Sequence, residues 1–194
     1  MELRLPTQAQ LRLAYQRDLR GAFPPDEMRS LTTLRRLWDK GCYRPYCLFD
    51  GEDLIGQAFL LFGQPGWAML DYLCVTAPRR GQGLGPVILR LLLETEPPGT
   101  VIFGEAESPA EALDPALARR RLHHFYFQNG WRDGGYDSEA YSVRYRVIYL
   151  SDHEVDRLFL LEAHRQVSRR IWTPRQLRRY VRVPWDPNYH TLAH

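Results

Sequence analysis

Lysine is almost absent from this chain of 194 residues: Lys40 is the only one, and every other basic side chain except histidine is arginine. The net charge is only +3, so the charge balance alone does not require a nucleic-acid partner. We attribute the arginine preference to a compositional habit of the source genome. Arginine nevertheless stays charged and offers a planar fork to phosphate or carboxylate, so its clusters are candidate anion sites.

Long apolar runs are also missing. None approaches the roughly 18 residues that suggest a membrane span, and the first residues lack the apolar core of a signal peptide. With 44% hydrophobic and 25% charged residues, the composition is typical of a soluble globular protein. We therefore expect a cytoplasmic protein that does not partner a membrane.

Cysteine is scarce, and the three that occur (Cys42, Cys47 and Cys74) lack the spacing of a zinc site or a disulfide framework. Free buried thiols are the expected state. His123 and His124 also lack metal-ligand spacing, and no metal site is predicted. The patterns of Ser/His/Asp hydrolases, zinc proteases and EF-hands are absent.

The first half of the chain predicts two helices and a three-stranded meander. Residues 7–20 have apolar positions at helical spacing after a possible Thr7 cap, and a second helix runs from Asp26 through Met28 to Gly41. Turn residues then separate three apolar runs, which indicates adjacent antiparallel strands. These strands are Arg44–Phe49, Leu54–Phe62 and Trp67–Val75.

The second half predicts a helix, a strand, a helix and a strand. Val87–Leu93 is apolar almost all round, which favours a buried helix, and its crossover predicts that Thr100–Phe103, continuing towards Glu105, lies parallel to the preceding strand. Asp114 and Pro115 are typical of a helix start. This helix runs to Asn129-Gly130, and Ala140–Leu150 alternates as a late strand.

This order predicts an α/β fold with a mixed, mainly antiparallel central sheet flanked by helices. We assign residues 1–150 to that domain. Residues 151–194 are predicted to form a C-terminal helical arm and tail, with prolines at 174, 184 and 187. The arm is either part of the same unit or an oligomerisation element, and a homodimer stays open.

Three glycines alternate in Arg79–Pro86, RRGQGLGP, between an apolar strand and an apolar helix. A helix N-terminus presents unpaired N–H groups and a positive dipole end, which together bind anions. Glycines let the backbone curl around phosphate oxygens. The functional interpretation is a diphosphate cradle, and the alternative is a tight strand-to-helix turn.

Two known phosphate motifs do not match this turn. A P-loop needs Lys-Ser/Thr after its last glycine, and a dinucleotide fold needs G-x-G-x-x-G after the first strand of a βαβ unit. Instead, Arg80–Gly85 (RGQGLG) after LDYLCV resembles the acetyl-CoA signature Q/R-x-x-G-x-G/A of the GNAT superfamily of N-acetyltransferases. Phe125–Trp131 (FYFQNGW) resembles the FYxxxGF segment of that family. The resemblance covers Leu70 to about Leu150.

The resemblance implies a GNAT-like acyl-CoA N-acyltransferase fold and acetyl-CoA as co-substrate, with no metal. The pyrophosphate would bind the backbone amides of Gly81–Gly85. The strand residues before the turn would run beside the pantetheine, and the Val75 N–H is a candidate donor to the thioester oxygen. The implied cofactor-binding residues are Leu73, Cys74, Val75, Arg80, Gly81, Gln82, Gly83, Leu84, Gly85 and Pro86.

Two residues are candidates for the chemistry. Glu105, with Glu107 next on the same strand face, is the candidate base that accepts a proton from the acceptor amine, directly or through water. The alternative is a solvated or capping carboxylate. Tyr126 is the candidate acid that protonates the departing thiolate, and its alternative is a core aromatic residue. Three successive aromatics cannot all face one core on a helix, which favours a functional position for Tyr126.

Three functions remain open at this point. The first is an acetyl-CoA-dependent N-acetyltransferase acting on a small-molecule or peptide amine. The second is a non-catalytic acyl-CoA-binding module. The third, which we rank below both, is a nucleic-acid or ribosome-associated protein whose arm neutralises phosphates. Seven arginines without an acidic neighbour between Ala163 and Trp185 suggest it: Arg165, Arg169, Arg170, Arg175, Arg178, Arg179 and Arg182.

Overall fold

A computed structural model describes residues 1–25 and 27–186. The chain forms two compact units. The first unit consists of Met1–Phe62 and Leu70–Pro98, and the second consists of Gly63–Met69 and the chain from Gly99 onward. The long strands of the meander therefore contribute residues to both units.

The first unit begins with a short strand, β1 (Glu2–Arg4), and the predicted first helix. Helix α1 (Gln8–Ala14) starts at Thr7, whose side chain accepts from the Gln10 N–H while the Gln10 side chain returns to the Thr7 N–H. The helix continues as a π-helical segment, Tyr15–Leu19, and a final turn, α2 (Arg20–Ala22). The predicted helix is confirmed, and its π-helical segment was not predicted.

The second predicted helix is shorter than expected. Helix α3 spans Leu31–Asp39, and Ser30 caps it by accepting from the Thr33 N–H. Met28 lies before the helix, so its predicted place on the helical face is wrong. The predicted start at Asp26 lies outside the described residues. A side-chain cap satisfies an otherwise unpaired N–H, which explains why the helix begins after Ser30.

The predicted meander is confirmed by three successive strands, β2 (Tyr43–Asp50), β3 (Asp53–Gln64) and β4 (Trp67–Val75). In the first unit, β2 pairs antiparallel with β3, with Tyr43 opposite Leu61. The chain then passes the glycine turn into helix α4 (Leu84–Thr95), whose buried residues include Ile88 and Leu92. The helix therefore covers the predicted buried segment and extends it at both ends.

In the second unit, β5 (Val101–Glu107) runs parallel to the start of β4, with Val101 opposite Trp67. The predicted parallel pair is confirmed. Helix α5 (Pro115–Arg120) starts at Asp114, whose carboxylate accepts from the Leu117 N–H. It continues as a π-helical segment, Arg121–Tyr126, and a 3₁₀ turn, Phe127–Asn129. Gly130 ends it in the left-handed conformation, as its sequence position predicts.

The late strand of the prediction is one half of a hairpin. Strands β6 (Arg132–Ala140) and β7 (Val143–Leu150) pair antiparallel, and β6 was not predicted. The turn between them is Tyr141-Ser142, with φ values of 51° and 66°. Neither residue is glycine or asparagine, the residues that favour a positive φ, so the sequence carries no standard signal for this turn.

The C-terminal segment forms helix α6 (Arg157–Ile171), helix α7 (Pro174–Tyr180) and a short strand, β8 (Val181–Arg182), which pairs with β6. Along α6, Leu160, Ala163 and Val167 are buried. The described part of this segment belongs to the second compact unit. The predicted tail around Pro187 lies outside the described residues, and a role in oligomerisation stays a prediction.

The eight strands form one sheet in the order β1-β2-β3-β4-β5-β7-β6-β8. It is mixed and mostly antiparallel and is flanked by helices, so the predicted fold class is confirmed. Within the described residues, no helix has both the length and the apolar character needed to cross a membrane.

Candidate functional site

The glycine turn adopts the backbone conformation that its composition favours. Gly81 and Gly83 have φ values of 76° and 75°, which side-chain-bearing L-residues rarely adopt. A Cβ built at either position meets no atom within 4 Å. The glycines are therefore required by the backbone rather than by close packing, and open space lies beside them.

The helix that follows the turn has no side-chain cap. Gly83 is the N-cap of α4, and no side chain accepts from the first N–H groups of the helix. The first N–H groups of an α-helix lack intrahelical partners, so those of Leu84 and Gly85 are available to an external acceptor. Pro86 follows in the first turn and offers no donor. This arrangement can bind an anion.

Polar side chains hold the turn in shape. Arg80 donates from Nε to the Val75 carbonyl at 3.1 Å, and Gln82 donates from Nε2 to the Pro78 carbonyl at 3.3 Å. Arg79 lies 3.9 Å from Asp50, and both side chains are well exposed. An exposed pair at this distance is weak, so the Arg79 charge remains available at the rim of the turn.

The strand before the turn alternates in burial. Cys74 is buried, whereas Leu73 and Val75 are partly exposed. Burial raises the pKa of the Cys74 thiol, although the nearby Arg80 guanidinium acts in the opposite direction. Cys74 is therefore a packed neutral thiol. The assignment of Leu73, Cys74 and Val75 to the pantetheine stays a prediction.

Glu105, on β5, lies in a polar network of the second unit. Its Oε1 accepts from the Ser138 hydroxyl and lies 3.3 Å from Nε2 of His164. The side chain is 17% exposed, and within the described residues Oε2 makes no hydrogen bond. Burial acts to raise the pKa of Glu105, but His164 and Ser138 outweigh it and lower the pKa below its ordinary value. The group is therefore a carboxylate at neutral pH with one oxygen free.

Glu107 lies on the same face of β5 as Glu105, as the period of two predicts, and both are partly exposed. The part of the chain that the structure describes gives Glu107 no ion-pair partner. Of the two carboxylates, only Glu105 is held in position by other side chains. This difference supports Glu105 as the first candidate base.

Tyr126 is the last residue of the π-helical segment and is partly exposed. Its ring makes edge contacts with Phe125 at 4.9 Å and Trp131 at 5.2 Å between centroids. The described residues offer its hydroxyl no hydrogen-bond partner. Burial raises the pKa of Tyr126, so the phenol is protonated at neutral pH. The geometry thus gives an anchored ring with a proton-bearing hydroxyl that has no structural partner.

The sequence analysis missed the residues that surround Glu105. Tyr136 and Ser138 lie on β6, which was not predicted, so nothing in the sequence placed them near a site. His164 did carry a signal. Leu160, Ala163, His164 and Val167 follow helical spacing on the buried face of α6, and a histidine among apolar core positions indicates a buried polar partner.

Within the described residues, four of the seven arginines in the C-terminal run form a hydrogen bond or an ion pair with another residue. They are Arg165 (Val183 carbonyl, 3.0 Å), Arg169 (Glu162, 3.0 Å), Arg170 (two bonds to the Gly63 carbonyl) and Arg182 (Glu139). These charges stabilise the second unit, which weakens the interpretation of the run as a phosphate-neutralising surface. Among residues 1–25 and 27–186, no cluster of three or more histidine, cysteine or acidic side chains could hold a metal ion.

No protein-family model matches the chain, and no curated protein matches its sequence. Solved structures do match it. A GNAT-family acetyltransferase of Bacteroides thetaiotaomicron, itself described as putative, superposes with a TM-score of 0.70 at 19% identity, covering 87% of this chain and 97% of the other. Spermidine N-acetyltransferase from Vibrio cholerae, solved with CoA and spermine, gives 0.53 at 16% identity over 77% and 94% of the two chains.

A third match is the ribosomal-protein-S18-alanine N-acetyltransferase from Escherichia coli, with a TM-score of 0.54 at 16% identity over 80% of this chain and 96% of that one. At these identities the likeness establishes the fold. The chain has the fold of the GNAT N-acetyltransferases, and the resemblance inferred from RGQGLG and FYFQNGW is confirmed at that level.

Proposed function

We propose that the protein is an N-acetyltransferase that moves an acetyl group from acetyl-CoA to a primary amine of a small molecule or peptide. The main support for this proposal is the N-terminus of α4, which directly follows Gly81 and Gly83. It has no side-chain cap, so its free N–H donors lie beside open space. A diphosphate is the anion of acetyl-CoA that such a turn binds. Among the proteins of this fold, the Vibrio cholerae enzyme was solved with CoA.

The turn's residues divide the binding task. Backbone N–H groups of Gly81 to Gly85 bind the pyrophosphate, and Arg79 and Arg80 add positive charge beside it. Leu73, Cys74 and Val75 lie along the pantetheine in this proposal, with the Val75 N–H as the donor to the thioester oxygen. Gln82, Leu84 and Pro86 complete the set, of which Gln82 keeps the loop closed through Pro78.

Glu105 and Tyr126 supply opposite proton transfers. An amine attacks only when neutral, so Oε2 of Glu105 accepts its proton directly or through water. Collapse of the tetrahedral intermediate then breaks the C–S bond and expels a thiolate. Tyr126, whose raised pKa keeps it protonated, gives a proton to that sulfur. The Tyr126 phenolate takes up the extra proton of the new amide nitrogen, and Glu105 returns its proton to water, so CoA thiol and amide form with both side chains restored.

Two alternative functions would show no acetyl transfer from acetyl-CoA to an amine. A non-catalytic acyl-CoA-binding module would bind acetyl-CoA but release no CoA when amines are added. Within the described residues, neither the Tyr126 hydroxyl nor Oε2 of Glu105 has a hydrogen-bond partner, and this favours turnover. A nucleic-acid partner is disfavoured by the ion pairs of the C-terminal arginines. Cytoplasmic location and a homodimer stay predictions.

Calorimetric titration with acetyl-CoA tests the cradle, with Gly83→Val as the variant. A branched side chain at Gly83 strains the backbone and fills the space where phosphate would lie, so we expect binding to be lost. Gly66→Val is a matched control, because Gly66 also has a φ of 76° and an unobstructed Cβ position but lies in the β3–β4 turn.

The control should suffer the same backbone strain yet keep acetyl-CoA affinity. Circular dichroism on both variants establishes that they are folded before the titrations are compared. Undiminished affinity in folded Gly83→Val protein would remove the cradle assignment.

A further inference from the structure

Helix α6 places a buried histidine against the carboxylate that the proposed function uses as a base. His164 is 2% exposed. Its Nε2 lies 3.3 Å from Oε1 of Glu105, and its Nδ1 lies 3.3 Å from the hydroxyl of Tyr136. The ring also packs against Phe103 of β5 at 5.4 Å between centroids. Both nitrogens and one face of the imidazole ring are therefore in contact with other side chains.

The ionised carboxylate of Glu105 determines which groups around it act as hydrogen-bond donors. An ionised carboxylate only accepts, so it is the Nε2–H of His164 that faces Oε1 of Glu105, at an N···O distance of 3.3 Å. When the ring is neutral, the lone pair at Nδ1 accepts from the Tyr136 hydroxyl, 3.3 Å away. Ser138 donates to the same Oε1 as His164. Two donors thus converge on one oxygen of Glu105 and leave Oε2 without a partner in the described residues.

We propose that His164 is a positioning residue for Glu105: together with Ser138 it holds Oε1, keeps the group ionised and leaves Oε2 as the oxygen that meets the acceptor amine. This inference rests on the proposed function. Helix α6 thereby contributes to the chemistry. A carboxylate that is already held in one rotamer loses no further conformational freedom when the amine binds.

The surroundings of Glu105 contain few other charges that could take this role. On α6, His164 is followed by Arg165, and Arg157 lies 5.9 Å from the Tyr136 ring centroid. Both arginines act on the pKa of Tyr136, which burial raises above its ordinary value. On β7 the residue opposite Glu105 is the uncharged Val147, and on β5 itself the nearest carboxylate is Glu107. The lowered pKa of Glu105 is consistent with His164 as the dominant partner.

Three variants test the proposal on the full chain. His164→Leu removes the donor while keeping a side chain of similar bulk. His164→Gln retains an amide N–H that can reach Oε1. Ser168→Ala is the control, because Ser168 is buried on the same helix and, in the part of the chain that the structure describes, its hydroxyl donates to the His164 carbonyl and to no other group.

For His164→Leu we expect kcat to fall by about 10- to 100-fold, with the KM for acetyl-CoA unchanged. Losing a donor to the ionised form raises the pKa of Glu105, so the acidic limb of the kcat/KM profile should move to higher pH. His164→Gln should recover most of the rate and the wild-type limb. Ser168→Ala should lower the melting temperature but leave the pH profile unchanged.

A wild-type pH profile in folded His164→Leu protein, or a His164→Gln variant no better than His164→Leu at equal stability, would overturn the proposal. ¹⁵N NMR of the wild-type ring keeps it testable if His164→Leu does not fold. Nε2 should carry the proton, and its resonance should shift in Glu105→Ala. A deprotonated Nε2, or no response to Glu105→Ala, would also overturn it.

The two proposals fail in different ways. If wild-type protein acetylates no amine, the proposed function fails, while NMR still decides whether His164 holds Glu105. If wild-type protein is active and His164→Leu behaves like Ser168→Ala, only the positioning role fails.

Discussion

Single side chains of the candidate site differ in how tightly the fold holds them. Glu105 has two donors on one oxygen, whereas the Tyr126 ring is packed between aromatics with its hydroxyl unbonded in the described residues. Because the Tyr126 hydroxyl makes no hydrogen bond within the described residues, it can donate to a bound ligand, as the proposed acid role requires.

Removing only that hydroxyl separates chemistry from packing. Tyr126→Phe keeps the ring and its edge contacts, so stability should be nearly unchanged. Loss of the proton donor should lower kcat by on the order of 10²-fold or more, with acetyl-CoA affinity retained. Steady-state kinetics with an active amine acceptor, paired with calorimetry, measures both quantities.

Tyr180→Phe is the control for this experiment. Tyr180 stacks on Tyr141 at 4.8 Å in the C-terminal segment, so losing its hydroxyl should leave kcat unchanged. Where single-turnover data show that chemistry limits the rate, a Tyr126→Phe variant with wild-type kcat would return Tyr126 to the role of a core aromatic residue.

Most of the candidate residues that the sequence predicted lie in or beside contiguous motifs, and Glu105, on β5, is the exception. RGQGLG lies on one turn and FYFQNGW on one helix end, so their spacing alone locates them. Ser138, Tyr136 and His164 reach Glu105 from two other elements, and only strand pairing and helix packing bring them together. A single sequence contains no direct signal for such contacts, although the histidine on the apolar face of α6 indicated a buried partner.

At the scale of elements, local patterning succeeded where a strand or helix is built on a run of apolar residues. The β2–β4 meander and helix α4 follow this rule. Strand β6 does not, because RDGGYDSEA is polar and carries a bulge between Asp133 and Asp137. Its Asp137 accepts from Arg144 and Arg146 of β7, so ion pairs replace apolar contacts. This composition gives no strand signal, and tertiary pairing makes the segment a strand.

The docking of α6 depends on one glycine of the second unit. A Cβ at Gly63 would lie 2.8 Å from the Val167 backbone nitrogen and 3.1 Å from the Gln166 carbonyl carbon. Arg170 donates twice to the Gly63 carbonyl, at 3.1 and 3.0 Å. The helix backbone thus lies directly on the strand at this point, which only glycine permits.

Gly63→Ala should consequently push α6 away from β3. We expect a loss of about 1–3 kcal/mol in the free energy of unfolding, because the methyl group meets backbone rather than a flexible side chain. Urea unfolding followed by circular dichroism measures the change. A displaced α6 should also carry His164 away from Glu105 and lower the rate of acetyl transfer.

Gly21→Ala is the matched control, since Gly21 lies in helix α2 with no atom within 4 Å of an added Cβ. Alanine favours the helix over glycine, so this variant should be neutral or slightly more stable. Equal stabilities for the two variants would contradict the close approach of α6 to Gly63.

In the whole molecule, arginine supplies nearly all of the positive charge and also stabilises the fold. The chain has 26 basic and 23 acidic residues apart from histidine, and much of the arginine is paired inside the fold.

The first unit carries the glycine turn, and the second carries Glu105, His164 and Tyr126. An assay of the intact chain therefore tests the roles proposed for both units at once.

The central claim is acetyl transfer to an amine, and amine-dependent release of CoA measures it most directly. Purified protein is incubated with acetyl-CoA and a panel of polyamines, amino sugars and peptides with free N-termini. Free thiol and the mass of the acetylated product are recorded. We predict stoichiometric CoA and N-acetyl product with at least one amine, strongly reduced in Tyr126→Phe. Acetyl-CoA binding in calorimetry with no thiol release above the amine-free background for every class of amine would contradict the account.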